Sequence, residues 1–211
     1  KNTPKPMLLL KNRPLMEHTI KQLSKFGIKK VRIATNYKSE AIANHFGNGS
    51  EFGVDINYIN EKRPLGTAGA LGSMKMPSGT TLVLNGDILT QLDFRAMFDF
   101  HRHHMAIMTV GVRKCDFKVP YGVIETDDVE IANLLEKPIQ TFLVNAGVYL
   151  IEPVAYRYIP KQQNFDMTDL VERLLKEKLR VISFPIQEYW LDIGHPIDYK
   201  KATEDAKNGK I

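Results

Sequence analysis

Four short segments of this chain place carboxylates and lysines where they could hold a phosphate group or a hard metal ion. Asn85-Gly86-Asp87 follows the apolar run TTLVL. A carboxylate at the carboxyl end of a buried parallel strand sits where α/β sheets bind ligands. Mg²⁺ prefers hard oxygen ligands and phosphate partners, so Asp87 suits it. The plain alternative is an Asx turn or a helix cap. Trp190-Leu191-Asp192-Ile193-Gly194 offers a second carboxylate, Asp192, while Trp190 itself reads as core packing. Glu136-Lys137-Pro138 sets a cation beside a carboxylate: Lys137 can pair with phosphate and Glu136 can accept sugar or ribose hydroxyls. A solvated surface pair is the simpler account. Thr3-Pro4-Lys5-Pro6 holds Lys5 between two prolines, whose fixed dihedrals stiffen the segment and could aim the ammonium at a phosphate.

The segment Leu65-Gly66-Thr67-Ala68-Gly69-Ala70-Leu71 opens a predicted helix with two glycines flanking small residues. Such a backbone can approach a planar ligand closely and read its edge with free N–H groups. It also fits a tight loop leading into a helix. His101, His103 and His104 lack the spacing of a zinc-binding helix and read as an exposed helix end, where histidine complements the dipole. Cys115, the single cysteine, has no activating neighbours in VRKCDF, and it excludes an internal disulfide framework.

These residues need a scaffold. The 211 residues suffice for one well-buried domain, spanning residues 1–211. The chain is 43% hydrophobic and 25% charged, as ordinary globular proteins are, and its net charge of +5 suits phosphorylated ligands. No basic stripe marks a nucleic-acid partner. No apolar run approaches the roughly 20 residues that span a bilayer, and no signal peptide is present, so the reading is soluble and cytoplasmic.

The pattern alternates strand and helix. Residues 14–26 read as a helix, with Leu15, His18, Thr19, Leu23 and Phe26 near helical spacing and Pro14 in its first turn. VRIAT then reads as a buried strand. SEAIANHF is a helix capped by Ser39 and stopped by Gly47. VDINYIN and TTLVLNGD read as strands, and DFRAMFDFHRHH as a helix capped by Asp93. AIMTVGV is a buried strand, and GVIET and VEIANLLE form an antiparallel pair. FLVNAGVYLI is a strand with small residues in its middle. DMTDLVERLLKEK is the clearest helix. RVISFPI and EYWLDI are strands, and DYKKATEDAK is a final helix. This alternation implies an α/β, Rossmann-like fold with a mixed, mostly parallel sheet flanked by helices.

Taken in order, TPKPML, PLGTAGAL, NGD, a Tyr-Gly-Val strand, EKP, NAGVYL and WLDIG resemble the sugar-nucleotidyltransferase family, the NDP-sugar pyrophosphorylases. The wording VPYGVI, NFDM and EYWLDIG is most similar to bacterial hexose 1-phosphate guanylyltransferases, a branch whose members often carry a pair of CBS domains. The resemblance implies the nucleotide-diphospho-sugar transferase fold and transfer of a nucleoside monophosphate from an NTP, GTP by preference, to a sugar 1-phosphate. It implies Asp87 and Asp192 as ligands of the catalytic Mg²⁺, and Lys5 as a phosphate contact in the reacting centre. Leu65, Gly66 and Thr67 would lie against the nucleobase, with Asn85 and Gly86 lining the nucleotide site. Glu136 would hold sugar hydroxyls and Lys137 the sugar phosphate, while Tyr121, Gly122, Asn145 and Gly147 would shape the sugar pocket. Homo-oligomerisation stays open.

The family's usual first strand and Gly-rich loop, GGxGTRLxP, do not precede the PKP segment here. The expectation is a domain belonging to a longer protein, with an open slot in its sheet beside VRIAT or TTLVL. Two further readings compete with the transferase: a non-catalytic regulatory homologue that binds sugar nucleotides, and a glycosyltransferase of shared architecture. The retained aspartates and lysines disfavour the first, and the EKP and PLGTAGAL pair disfavours the second.

Overall fold

In this computed structural model the described residues are 3–36, 38–61 and 63–211; Lys1 and Asn2, which open the KNTPKP segment, lie outside them. A 3-10 turn at Lys5–Met7 leads into a tight pair, β1 (Leu9–Leu10) and β2 (Arg13–Pro14), and then α1 (Leu15–Lys25). Next come β3 (Lys30–Thr35), α2 (Ser39–Phe46), β4 (Asp55–Asn60) and α3 (Gly66–Gly72). The chain continues through β5 (Thr81–Leu84), β6 (Ile88–Thr90), α4 (Phe94–His103) and β7 (Met108–Lys118). A hairpin of β8 (Val123–Asp127) and β9 (Glu130–Leu135) precedes the long β10 (Ile139–Ile151). It closes with α5 (Met167–Lys176), β11 (Val181–Pro185), β12 (Trp190–Asp192) and α6 (Pro196–Lys207).

The pairing is mixed. The main sheet runs β11-β7-β10-β5, with β11 and β7 parallel and β10 antiparallel to both neighbours. A second parallel pair joins β3 and β4, and β12 pairs antiparallel with β6. Antiparallel contacts are thus more numerous than the strand–helix alternation suggests, because β10 returns beside β7 after the β8–β9 excursion.

Among the described residues β5 pairs only with β10, and β3 only with β4, so each has one strand edge without a ladder partner. The buried Thr35 hydroxyl, at the end of β3, makes no hydrogen bond among the described residues. Burial pushes Tyr156 upward, and a hydrogen bond with Thr81 of β5 and the charge of Arg32 on β3 offset part of that push. A buried hydroxyl without a partner is costly.

Three local expectations are corrected. Ser39 is the first helical residue of α2, not its cap; Lys38 holds the cap position in the left-handed conformation, φ 53°. Pro14 precedes α1, and the helix buries Leu15, Glu17, Ile20 and Leu23, so its inner face is rotated from the expected stripe. The His cluster is divided: His101 is buried on the inner face of α4 with Phe94 and Met97, while His103 is exposed. The spacing of 94, 97 and 101 puts all three on one side of the helix. His101 is satisfied there by Thr109 Oγ1 at 2.7 Å and Glu152 Oε1 at 3.1 Å. Asp93 caps α4 as expected, accepting from the N–H groups of Arg95 and Ala96.

Candidate active site

The N-terminal turn brings a cation to an acidic pair. Pro4 and Pro6 bracket Lys5, whose Nζ lies 3.7 Å from Asp87 Oδ2. A Cβ on Gly86 would lie 3.6 Å from the Pro6 ring, so the NGD loop packs on the same turn. The β6–β12 ladder positions the second carboxylate: Asp192 pairs with Ile88, and the Ile193 N–H donates to the Asp87 carbonyl at 3.0 Å. Two residues 105 positions apart therefore occupy adjacent rungs. Burial and the Asp87 charge push the Asp192 carboxyl upward, Lys5 opposes them, Asp198 adds to the push and His195 opposes it.

That repulsion is the test of fit for a divalent cation. Two close carboxylates that raise one another's cost are relieved by a 2+ charge between them. Among the described residues no group of three or more His, Cys, Asp or Glu side chains converges, so remaining ligands would come from phosphate oxygens and water.

Asp192 also borders a cleft of about 330 Å³, together with Thr67, Asn85, Asn145, Gly147 and Trp190. An irregularity in β10 builds its floor. The register slips between Asn145 and Tyr149. Asn145 Oδ1 accepts the Gly147 N–H at 3.0 Å, and Asn145 Nδ2 donates to the Tyr149 hydroxyl at 2.8 Å. Gly147 has φ +69°, and a Cβ there would meet Asn85 Nδ2 at 2.7 Å, so glycine is needed twice over. The Asn85 N–H donates to the Gly147 carbonyl at 2.9 Å, tying the NGD loop to the bulge. Trp190 packs against the core as expected, and it also walls the cleft, half-buried, donating its indole N–H to the Ala146 carbonyl at 2.8 Å.

The opposite wall joins α3 to α5. Asp166 Oδ1 accepts the Thr67 N–H at 2.8 Å and the Thr67 hydroxyl at 3.1 Å, and that hydroxyl in turn accepts the Met167 N–H at 2.9 Å. Gly66 has φ +77°, and a Cβ there would strike Asp166 Oδ1 and the Phe165 carbonyl at 2.7 Å. Glycine is thus required by contact with the chain's own backbone. Leu65 is buried, and its carbonyl accepts the Phe165 N–H at 2.8 Å. Just ahead, Glu61 stands at the end of β4; burial pushes its carboxyl upward, and the Leu65 N–H that it accepts lowers it again.

Tyr121, Gly122, Glu136 and Lys137 gather elsewhere, at the base of the β8–β9 hairpin, and do not line the cleft. Glu136 Oε2 would lie 3.2 Å from a Cβ on Gly122, and Lys137 Nζ is 3.4 Å from Glu136 Oε1. All are solvent-exposed. Lys137 adopts φ +46°, which turns the chain from β9 into β10.

The structure therefore unites Lys5, Gly86, Asp87 and Asp192, and beside them Thr67, Asn85, Asn145 and Gly147, but leaves the EKP and Tyr-Gly residues apart. It adds Asp166, Thr168 and Tyr149 to the cleft and Glu61 to the Leu65 segment. A carboxylate five residues before Gly66, at a strand's carboxyl end, is the sequence signal that could have found Glu61.

A mixed α/β sheet with two carboxylates and a lysine at the mouth of a polar cleft is the architecture of a nucleotide-handling protein. Residues 1–209 match the nucleotidyl transferase family, and the chain belongs to it. It is 32% identical to the D-glycero-alpha-D-manno-heptose 1-phosphate guanylyltransferase of Aneurinibacillus thermoaerophilus, over 97% of this chain and 90% of that protein. It is 30% identical to the mannose-1-phosphate guanylyltransferase of Mycobacterium tuberculosis, over 99% of this chain but 60% of that protein. The chain thus spans under two thirds of the mannose-type relatives' length. HddC from Yersinia pseudotuberculosis shares the fold at TM-score 0.75 with 24% identity, covering 97% of this chain and 91% of that one. A putative glucose-1-phosphate thymidylyltransferase from Bacillus anthracis does so at TM-score 0.78 with 22% identity, covering 98% and 87%.

Proposed function

We propose that this protein transfers a nucleoside monophosphate from an NTP to a sugar 1-phosphate, releasing pyrophosphate and forming an NDP-sugar. The carrying observation is the convergence of Lys5, Asp87 and Asp192 at the edge of the cleft. A binding-only homologue has no need of a lysine aimed at a paired-carboxylate site.

An oxygen of the sugar phosphate attacks the NTP α-phosphorus, forming a new P–O bond, while the α–β bridging bond breaks and pyrophosphate leaves. The nucleophile is already anionic, so no strong base is required. Positioning and charge neutralisation provide most of the rate. Asp87 and Asp192 would hold Mg²⁺, which when bound screens the negative charge of the phosphates. Lys5 contacts a phosphate in the reacting centre, Lys137 holds the sugar phosphate, and Glu136 accepts sugar hydroxyls. Thr67 and Asn85 line the nucleotide site with Leu65, Gly66 and Gly86, and Asn145 and Gly147 shape the sugar pocket with Tyr121 and Gly122.

Guanine is the preferred base. Its Watson–Crick edge presents two adjacent donors, N1–H and N2–H, which a carboxylate can accept together. Glu61 supplies such a carboxylate beside Leu65. Uracil and thymine offer one donor flanked by two acceptors, which a carboxylate repels. The names of the sequence relatives point the same way, to guanylyl transfer onto mannose-type or heptose 1-phosphates.

The mannose-type relatives are longer than the matched stretch, which supports reading this chain as one domain of a longer protein. No helix among the described residues is long and apolar enough to cross a membrane, and a cytoplasmic setting suits a consumer of NTPs.

The test is pyrophosphate release from GTP with mannose 1-phosphate or heptose 1-phosphate, with and without Mg²⁺. Mg²⁺-dependent release supports the transferase. Stabilisation by GDP-sugar with no release under any pairing overturns it in favour of the regulatory reading.

A further inference from the structure

Among the described residues fifteen large apolar side chains are exposed, and ten of them lie between Phe117 and Leu143. This stretch is an arm made of the distal halves of β7 and β10 and the β8–β9 hairpin. The hairpin is a two-stranded sheet with almost every residue exposed, and it carries apolar groups on both faces: Ile124 pairs with Leu134 on one side, and Leu135 lies opposite Val123 on the other. Such a ribbon is marginal in water unless something packs on it. Farther along the arm, the rings of Phe117 and Phe142 meet edge to face at 5.7 Å with half of each residue exposed.

The ten side chains are between 41% and 86% exposed. At about 200 Å² for a large apolar residue, they present on the order of 1,000 Å² over the two faces of the arm together. A monomer's largest apolar patch is typically about 300–600 Å². A stable interface takes roughly 800 Å² from each partner. Charge adds a direction. Residues 118–139 hold five carboxylates against two lysines, a net −3; the whole chain is +5, which leaves +8 on the rest. The acidic groups crowd the tip, at Glu125, Asp127, Asp128 and Glu130.

We infer that this arm is a self-association surface, through which two copies of the chain form a two-fold dimer with each acidic tip against the partner's basic body. One symmetric contact covers both arms at once, without a second kind of partner. The base of the arm carries Tyr121, Gly122, Glu136 and Lys137. Under the function proposed above, on which this coupling rests, the dimer fixes the sugar-phosphate residues that the single chain leaves exposed.

Sedimentation equilibrium across the micromolar range tests the surface without reference to catalysis. The protein is expected to dimerise, more weakly as salt rises. Phe142→Lys and Ile131→Lys, both at exposed sites, are expected to weaken dimerisation by about tenfold or more, the effect of losing a buried apolar anchor, with unchanged thermal melting of the monomer. Asp127→Lys with Asp128→Lys is expected to weaken it through charge alone. A protein that stays monomeric throughout, or a dimer indifferent to all three changes, overturns the proposal. Where the transferase assay is positive, dilution below the dimer range is expected to raise the KM for sugar phosphate several-fold and leave that for NTP unchanged; equal change in both overturns the coupling.

Discussion

Asp192 is the ladder neighbour of Ile88, and its following residue, Ile193, donates its N–H to the carbonyl of Asp87 at 3.0 Å. Backbone pairing holds the two carboxylates together although their charges oppose it. Burial and Asp87 raise the Asp192 carboxyl above its ordinary range.

A raised carboxyl means that the folded state binds the proton more tightly than the unfolded chain. Its contribution to stability therefore falls as pH rises through the window between the unfolded and folded values, and stays reduced above it. Asp192→Asn removes this cost. The metal-free variant is expected to melt higher than the parent near pH 7 while losing transferase activity by on the order of 10²–10³-fold. Apparent Mg²⁺ affinity of the parent is expected to rise with pH across that same window, since metal and proton compete. Thermal melting and Mg²⁺ titration check both; a variant less stable than the parent would contradict the repulsion.

Lys137→Ala is expected to raise the KM for sugar phosphate by about 10–100-fold, the loss of one charge-assisted contact, with little change for NTP. Lys137 is exposed and its nearest carboxylate is its own neighbour Glu136, so stability should hardly move. Steady-state kinetics with each substrate varied in turn gives the answer. Equal loss for both substrates would make Lys137 a surface cation only.

Glu61→Gln exchanges a double acceptor for a group with one acceptor and one donor. GTP use is expected to fall by about tenfold or more, with UTP or dTTP gaining relative to it. The readout is the ratio of kcat/KM values across the four NTPs. An unchanged ratio would remove Glu61 from base recognition.

The chemistry-bearing segments were legible because each carboxylate lies at or just past the end of a strand that the sequence pattern reveals: Asp87 after TTLVL and Asp192 ending the strand in EYWLDI. What joins them was not. Asp166 meets Thr67 across 99 residues, a contact set by the approach of α5 to α3, and no local signal marks it. The His101 side chain was misread because exposure depends on the phase of α4, which only its packing on Thr109 and Glu152 reveals. The same phase error hid Glu17, a carboxylate on the inner side of α1. Conversely, the glycines of PLGTAGAL looked equally suited to ligand or chain, and Gly66 is explained by Asp166 and Phe165.

Glu17 gives the last prediction. Its side chain is about nine-tenths buried and meets Lys21 Nζ at 2.7 Å, His45 Nε2 at 3.3 Å and Arg13 Nε at 3.6 Å. Burial pushes the carboxyl upward, but Lys21, His45 and Arg13 together outweigh it and hold it below its ordinary range. A lowered carboxyl stabilises the fold at pH values above the unfolded one, about 4.3 for a glutamate. That stability is lost as pH falls through the folded value. The partners are half-exposed, so the net effect is modest, about 1 kcal/mol. Glu17→Gln leaves three basic groups, from β2, α1 and α2, around an uncharged side chain. It is expected to lower the melting temperature near neutrality by a few degrees, about 2–4 °C for a chain of this size. Parent and variant melting curves should converge as pH drops below about 4. A difference that persists unchanged into acid would mean that Glu17 acts through packing and not through its charge.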